Sequence, residues 1–115
     1  MSTAVSTMVK PLVQRKIFPT EEEAIRSLVR EFILQQISIL QQELTAFEHK
    51  YGMRFEQFAQ YLHERSVLLD QADLPPEQRQ VLGRAVMQEE DDWLDWKAAR
   101  EMLESWLGIR QEVVG

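Results

Sequence analysis

The sequence predicts an all-α protein, and two observations favour that class. The chain of 115 residues contains only four glycines and four prolines, and 44% of its residues are hydrophobic. The apolar residues recur every three or four positions over long stretches, as they do on one face of a helix. We therefore expect an elongated helical hairpin or bundle, with one long N-terminal helix at about 20–51 and shorter helices at about 53–65, 76–88 and 91–107.

The first 17 residues are predicted to form a flexible or extended basic arm in front of a single helical domain at 18–115. The opening "MSTAVSTMVKPLVQRKIF" is β-branched and polar, with a short extended segment expected near 12–18. Pro11 limits any strand here because proline cannot donate a hydrogen bond to a sheet. Three basic residues and no acid make the arm a candidate for binding DNA through phosphate contacts: Lys10, Arg15 and Lys16.

The long helix is predicted from a start signal, a stop signal and the spacing between them. Thr20 is the expected N-cap, Glu23 completes a capping box, and Gly52 is the expected C-terminal stop. A helix of this length would extend about 46 Å, so we expect an elongated shape or a second chain to cover it. Within it, a heptad-like spacing is typical of a seam against another helix. The candidate dimer seam is Ile33, Ile37, Leu40, Leu44, Phe47 and Tyr51.

The remaining elements are predicted from apolar stripes and prolines. "RFEQFAQYLHER" indicates a helix folded back after the glycine as an αα-hairpin, and "SVLLDQADLPP" indicates a connection. The role of residues 66–80 is left open. Two alternatives also stay open for the third and fourth helices: they are continuous because no breaker separates them, or Asp91 or Asp92 caps a new start. Gly108 is expected to close the fourth helix.

Composition argues against several functions. The chain has no cysteine, which excludes disulfides and thiolate chemistry and fits the cytoplasm. Its apolar stretches are too short to span a membrane. The acidic run lacks the glycine turn of a calcium loop, and neither His49 nor His63 has a glutamate three residues before it, as a di-iron helix requires. We expect no metal, no cofactor and no enzymatic activity.

The stretch "MQEEDDWLDW" predicts a protein-binding surface on the fourth helix. Its tryptophans share one side, whereas Leu94 and Met102 fall near the opposite side, so the helix is apolar on two faces. One face covers the first helix, and the other, rimmed by acids, favours a basic partner. Packing of both faces inside the chain is the alternative. The candidate partner-binding residues are Glu89, Glu90, Asp91, Asp92, Trp93, Leu94, Asp95, Trp96, Met102 and Trp106.

Three stretches together resemble a known family. "FPTEEEAIRSLVREFI", "FEHKYGMRFEQF" and "EEDDWLDWKAAREMLESWL" are similar to small helical antitoxins of bacterial type II toxin–antitoxin systems, over most of residues 18–107. The most specific parts are F-x-x-K-Y-G-M-x-F-x-x-F at 47–58 and D-D-W-x-x-W-x-A at 91–98, while 66–80 falls outside the resemblance. The resemblance implies a module that neutralises a basic, ribonuclease-type toxin by occlusion. The basic N-terminal arm adds DNA autoregulation as a further candidate role.

The alternative function belongs to another class. In it, the chain is a homo-oligomeric helical structural or interaction protein without a toxin partner, and the seam and tryptophans only close a dimer. The expected partners are therefore a cognate basic protein and a second copy of the chain, with DNA as a third candidate and no membrane. The uneven charge agrees with a basic protein partner, because all 19 acidic residues follow residue 16.

Overall fold

A computed structural model describes residues 3–71 and 73–114, and within them it contains four helices and no strand, which confirms the all-α class. The helices are α1 Thr3–Gln14, α2 Glu21–Tyr51, α3 Phe55–Leu69 and α4 Pro76–Val114. The chain divides into two compact units, Met1–Ser38 with Ser105–Gly115 and Ile39–Glu104, and α2 and α4 contribute to both. No helix in the described part combines the length and apolar character needed to cross a membrane.

Helix α1 corrects the prediction of a flexible or extended arm at 1–17 for residues 3–14, and residues 1 and 2 lie outside the described part of the chain. Val5, Val9 and Val13 are spaced by four, so they repeat on one face of a helix, and Val9 on that face is buried. Pro11 lies inside the helix and removes one backbone hydrogen bond. Burial of Val9 offsets that loss, whereas the sequence pattern alone favoured a break. The prediction that residues 18–115 form one domain stays a prediction.

The expected extended segment near 12–18 is instead a helix end. Lys16 adopts a left-handed conformation with φ 61°, and its N–H donates to the Val13 carbonyl at 3.0 Å. The Ile17 N–H donates to the Leu12 carbonyl at 2.9 Å. These two bonds form the Schellman motif that closes many helices, with lysine at the position that glycine usually holds. The backbone therefore reverses after α1 without a strand.

Helix α2 confirms the predicted long helix of about 20–51. The Thr20 hydroxyl accepts a hydrogen bond from the Glu23 N–H at 3.1 Å, so the N-cap is where the sequence indicates it. The helix spans Glu21–Tyr51, and Gly52 follows it with φ 62°. That left-handed conformation is the reason a glycine stands at this position.

The predicted seam of α2 needs a correction, because half of its side chains are buried within this chain. Ile33 and Ile37 are buried in the first unit and Leu40 in the second. The other seam residues are half-buried: Leu44, Phe47 and Tyr51. The spacing did indicate packing against a helix, but the covering residues are internal. Ile33, Ile37 and Leu40 are therefore not free to form a dimer surface, and association of copies stays a prediction.

Helix α3 is longer than its predicted range of 53–65. It runs over Phe55–Leu69, so the first part of the expected connection is helical. The Arg79 guanidinium donates to the carbonyl oxygens of Leu69 at 3.3 Å and Gln71 at 2.6 Å. These bonds satisfy one backbone acceptor at the end of α3 and another in the turn that follows it. The segment whose role the sequence left open thus anchors the start of α4.

Helix α4 settles the open question of one helix or two. It is continuous over Pro76–Val114, so the prediction of two separate helices at about 76–88 and 91–107 is wrong. Gly83 lies inside it, and Gly108 does not end it. A glycine in a helix interior costs only about 1 kcal/mol, which the packed face of a long helix easily offsets.

Two glycine replacements should change stability in opposite directions. An added Cβ would have no neighbour within 4 Å at Gly52 or at Gly83, so only backbone conformation decides the effect. We expect Gly52→Ala to lower the free energy of unfolding by about 1 kcal/mol, because its φ is positive. Gly83→Ala should raise it by about 1 kcal/mol, because alanine prefers the helix. Urea unfolding followed by circular dichroism measures both changes. If both replacements change the free energy of unfolding in the same direction, the backbone conformations assigned to the two glycines are contradicted.

Candidate protein-binding surface

Trp96 lies at the centre of an aromatic cluster that holds α4 against α2 and α3 in the second unit. Its side chain is 1% exposed. Its ring centroid lies 5.5 Å from Phe47, 5.5 Å from Phe58 and 5.6 Å from Phe55. Tyr51 stacks on Phe58 at 4.2 Å and completes the cluster. Trp96 is therefore a core residue, and its prediction as a partner contact is wrong.

Two acids of the α4 run are also internal contacts. The Lys50 ammonium donates to the Asp92 carboxylate at 2.6 Å, and the Tyr51 hydroxyl donates to the same oxygen. The Arg65 guanidinium pairs with Glu89 at 2.8 Å, and Glu89 is 8% exposed. These acids connect α4 to α2 and to α3, respectively. The prediction that Glu89 and Asp92 bind a partner is wrong, because both are engaged inside the chain.

The Asp92 contacts change the ionisation of both acidic groups. Burial opposes ionisation of Asp92, but hydrogen bonds from Lys50 and Tyr51, and the charge of Lys50, outweigh it and lower the pKa of the carboxyl group. Burial raises the pKa of the Tyr51 hydroxyl, and its hydrogen bond to Asp92 adds to the effect. Asp92 is therefore a carboxylate at neutral pH, and Tyr51 remains a proton donor to it.

Three polar side-chain atoms of α3 and α4 are buried without a hydrogen-bond partner in the described part of the chain. They are Arg65 Nε, Glu89 Oε2 and Trp93 Nε1. Unpaired buried polar atoms cost free energy, so α4 is not held by hydrogen bonding alone. Since these atoms are shielded from solvent, they are also shielded from a partner. The surface available for binding must lie elsewhere on α4.

The opposite face of α4 carries exposed apolar side chains, and we call this set the outer ridge. Met87 is 67% exposed, Leu94 56% and Met102 53%, and Ala98 lies exposed between the last two. The spacing of seven, four and four places them on one face of the helix. Exposed acids flank the ridge: Glu90, Asp91, Asp95 and Glu101.

Two grooves run beside the outer ridge in the second unit. The α3–α4 groove has a volume of about 380 Å³ and is lined by Ala59, Leu62, His63, Ser66, Glu90, Trp93 and Leu94. The α2–α4 groove has a volume of about 480 Å³ and is lined by Glu43, Ala46, Phe47, Lys50, Asp95, Ala98, Ala99 and Met102. Because ridge residues line both grooves, the ridge and grooves form one continuous surface over three helices.

The structure separates the ten predicted partner-binding residues into three groups. Five are exposed and lie together on the outer face of α4: Glu90, Asp91, Leu94, Asp95 and Met102. Glu89, Asp92 and Trp96 face the interior. Trp93 and Trp106 are half-buried, and Trp106 packs edge-on against Phe32 at 5.8 Å in the first unit.

The residues of this surface that sequence reasoning missed include Met87, Glu43 and Ala46. Met87 precedes Leu94 by two helical turns, so the periodicity was a usable signal for it. Glu43 and Ala46 lie on α2, and no local pattern relates them to α4. Only the packing of the two helices brings these residues to the surface.

The structure also bears on the metal and DNA predictions. No group of three or more metal-binding side chains could hold an ion within the described ranges 3–71 and 73–114. Lys10, Arg15 and Lys16 are exposed, but they lie on α1 and the turn after it. Because they lie in a helix and a turn, they do not form a β-ribbon of the kind that some proteins insert into a DNA groove. DNA binding by these residues stays a prediction.

A scan against protein-family models, a search of curated proteins and a search of solved structures each found no match to this chain. The antitoxin resemblance therefore depends on the quoted residues alone. The two most specific motifs meet in the structure, because Phe47, Phe55 and Phe58 of the first surround Trp96 of the second. Both motifs thus have a direct role in packing the core.

Replacing Asp92 should reveal its contribution to stability. We expect Asp92→Asn to lower the free energy of unfolding at pH 7 by about 2 kcal/mol, because a charge-assisted hydrogen bond from Lys50 is lost in a half-buried site. Asp91→Asn is the matched control, since Asp91 is exposed and should change stability by less than about 0.5 kcal/mol. Urea unfolding of both variants measures the difference.

The effect of Asp92→Asn should depend on pH in a defined direction. The pKa of Asp92 is lower in the folded chain than its ordinary value of 3.8, so its stabilisation is complete above that value. It is lost as the pH falls through the lowered folded pKa. The stability difference between wild type and variant should therefore shrink below pH 3.8. A difference that is constant from pH 7 to pH 2.5 would contradict the Lys50–Asp92 pairing.

Proposed function

We propose that this chain is an antitoxin-like protein-binding module that covers a basic surface of a cognate protein with the outer ridge of α4. The observation that carries the proposal is the two-sided character of one helix. Trp96 is 1% exposed on its inner side, whereas Leu94, two residues earlier, is 56% exposed on its outer side. A large apolar side chain that its own fold leaves in water, within an apolar ridge, favours a binding surface.

Charge supports a basic partner. The chain has a net charge of −6, and four exposed acids flank the ridge. Lys97 is a cation at the same rim, and its ammonium lies 5.3 Å from the centroid of the Trp93 ring. A surface of this sign repels nucleic acid and attracts a cationic protein. Ribonuclease-type toxins are cationic where they bind RNA, so an acidic surface of this kind agrees with an antitoxin role.

The proposed mechanism is occlusion without chemistry. Leu94, Met102 and Met87 supply the apolar area that is removed from water, and methionine adapts its shape to a partner. Glu90, Asp91 and Asp95 compete with RNA phosphates for lysine and arginine. Exposed charges at a rim mainly increase the association rate and selectivity, so most of the affinity comes from the apolar ridge.

A second candidate is self-association without a toxin, and a separate observation favours it. In the first unit, α2 exposes four large apolar side chains: Leu28, Val29, Phe32 and Leu34. Phe32 is 54% exposed although it also contacts Trp106. A dimer would use this surface and not the predicted seam. Sedimentation at several protein concentrations distinguishes the two functions. A dimer would support self-association through α2, whereas a monomer would leave the outer ridge as the main binding surface.

The proposal predicts that one polar substitution on the ridge abolishes partner binding. The chain should be co-expressed with the product of the adjacent reading frame, whose toxicity it should relieve and with which it should co-purify. We expect Leu94→Asp to weaken that complex on the order of 100-fold, as loss of an interface anchor does. The side chain is exposed, so the free chain should keep its thermal stability. Calorimetry of the purified proteins measures the affinity.

The matched control is Val81→Asp. Val81 is on the same helix and 71% exposed, but it lies outside the outer ridge. This variant should bind as well as the wild type. An equal loss of affinity in both variants contradicts the proposed function. A neighbouring product that is harmless and does not bind the chain contradicts it as well.

A further inference from the structure

We propose that the partner's docking element is a single amphipathic α-helix with basic flanks, and that it lies in the α2–α4 groove. This inference rests on the proposed function and names the kind of element that the surface accepts. The α2–α4 groove differs from the α3–α4 groove in two respects: alanines line much of it, and it carries an exposed acid on each wall. Both features bear on the shape and charge of the occupant.

The alanines make room for a helix. Ala46 lies on α2 and Ala98 on α4, both exposed, and Ala99 is buried beneath them. Small side chains on both walls let another helix approach closely, and they leave space for a bulky side chain of that helix. Met102 at the edge is 53% exposed and flexible enough to close over the inserted group.

The walls also define the charge of the occupant. Glu43 on α2 and Asp95 on α4 are exposed, and neither forms an ion pair within the described residues. Lys50 also lines the groove, but its ammonium is already bound to Asp92 at 2.6 Å. The uncompensated charge is therefore negative on both sides. An occupant with lysine or arginine on both flanks of an apolar stripe would pair with both walls.

The groove favours a helix over other peptide conformations. Its walls, at 43–50 and 95–102, are each about two helical turns, or about 10 Å, long. Apolar residues at i, i+3 or i+4, and i+7 of a docked helix span that length. Both walls are helices whose backbone groups are bonded internally, so no free edge is offered to a β-strand. Phe47 is the groove's aromatic residue and is half-buried, so polyproline recognition is disfavoured.

A synthetic peptide provides the test on the full chain. The probe is a labelled helical peptide of about 18 residues, long enough to form a helix, with leucine along one stripe and lysine on both flanks. A second peptide has the same composition in an order that destroys the stripe. Fluorescence anisotropy should show that the chain binds the first peptide at least tenfold more tightly than the second. Equal binding would indicate charge attraction alone and would overturn the inference.

Steric variants then locate the site. Ala98→Trp and Ala46→Trp fill the groove from opposite walls and should each raise the Kd of the striped peptide at least tenfold. Ser66→Trp, in the α3–α4 groove, is the matched control and should leave the Kd within twofold. Circular dichroism checks that each variant remains folded. An unchanged Kd for both alanine variants, or an equal rise for Ser66→Trp, overturns the inference.

Charge variants test the walls. Glu43→Lys combined with Asp95→Lys should raise the Kd at least tenfold and weaken its dependence on salt. Glu48→Lys is the control, because Glu48 is an exposed acid on α2 outside this groove. If Glu48→Lys raises the Kd by the same factor, the peptide responds to the overall charge and not to the acids on the groove walls. If Ala98→Trp converts a dimer of the free chain to a monomer, the occupant is a second copy and the inference fails.

Failure of this inference can be told apart from failure of the proposed function. If Leu94→Asp breaks the complex with the neighbouring product but Ala98→Trp does not, the function holds and the groove assignment fails. If the peptide binds in the groove but the neighbouring product does not bind the chain, the groove assignment holds and the proposed function fails. The two experiments use different probes, so each result is independent.

Discussion

Burial of one tryptophan sets the orientation of α4, and the candidate surface depends on that orientation. Trp96 is enclosed by aromatic rings from α2 and α3, and it is among the largest fully buried side chains of the chain. Successive residues of a helix are rotated by about 100°, so the direction of one side chain determines that of its neighbours. With Trp96 inward, Asp92 and Ala99 also face inward, and Leu94 and Ala98 face solvent.

The same rotation divides the acidic run into residues with different roles. Glu89 and Asp92 face the interior and join α4 to α3 and α2 through Arg65 and Lys50. The acids between them and after them stay in solvent, where a partner can reach them. Partly buried ion pairs contribute little net stability compared with apolar packing, but removing one partner is costly. The internal acids therefore fix the register of α4, while the external ones are free for recognition.

Local signals in the sequence were sufficient for some features and not for others. Thr20 and Gly52 mark the ends of α2 because capping and a positive φ are decided by neighbouring residues. The outward position of Leu94 also followed from helical spacing alone. The engagement of Asp92 could not be predicted, since Lys50 is 42 positions away in the chain. Helix α1 could not be predicted either, because tertiary burial of Val9 overrides the local preference against a helix around Pro11.

The face of α4 carrying Ala98 and Met102 is open to solvent, whereas the face carrying Val86 and Ala99 is closed. Because the chain contains no cysteine, single cysteines at these four positions report accessibility without interference. Labelling by a thiol reagent under native conditions should be nearly as fast at 98 and 102 as in the unfolded chain. At 86 and 99 it should be slower on the order of 100-fold, since labelling there requires opening of the fold. Similar rates at all four positions would contradict the orientation of α4 on which the proposed function depends.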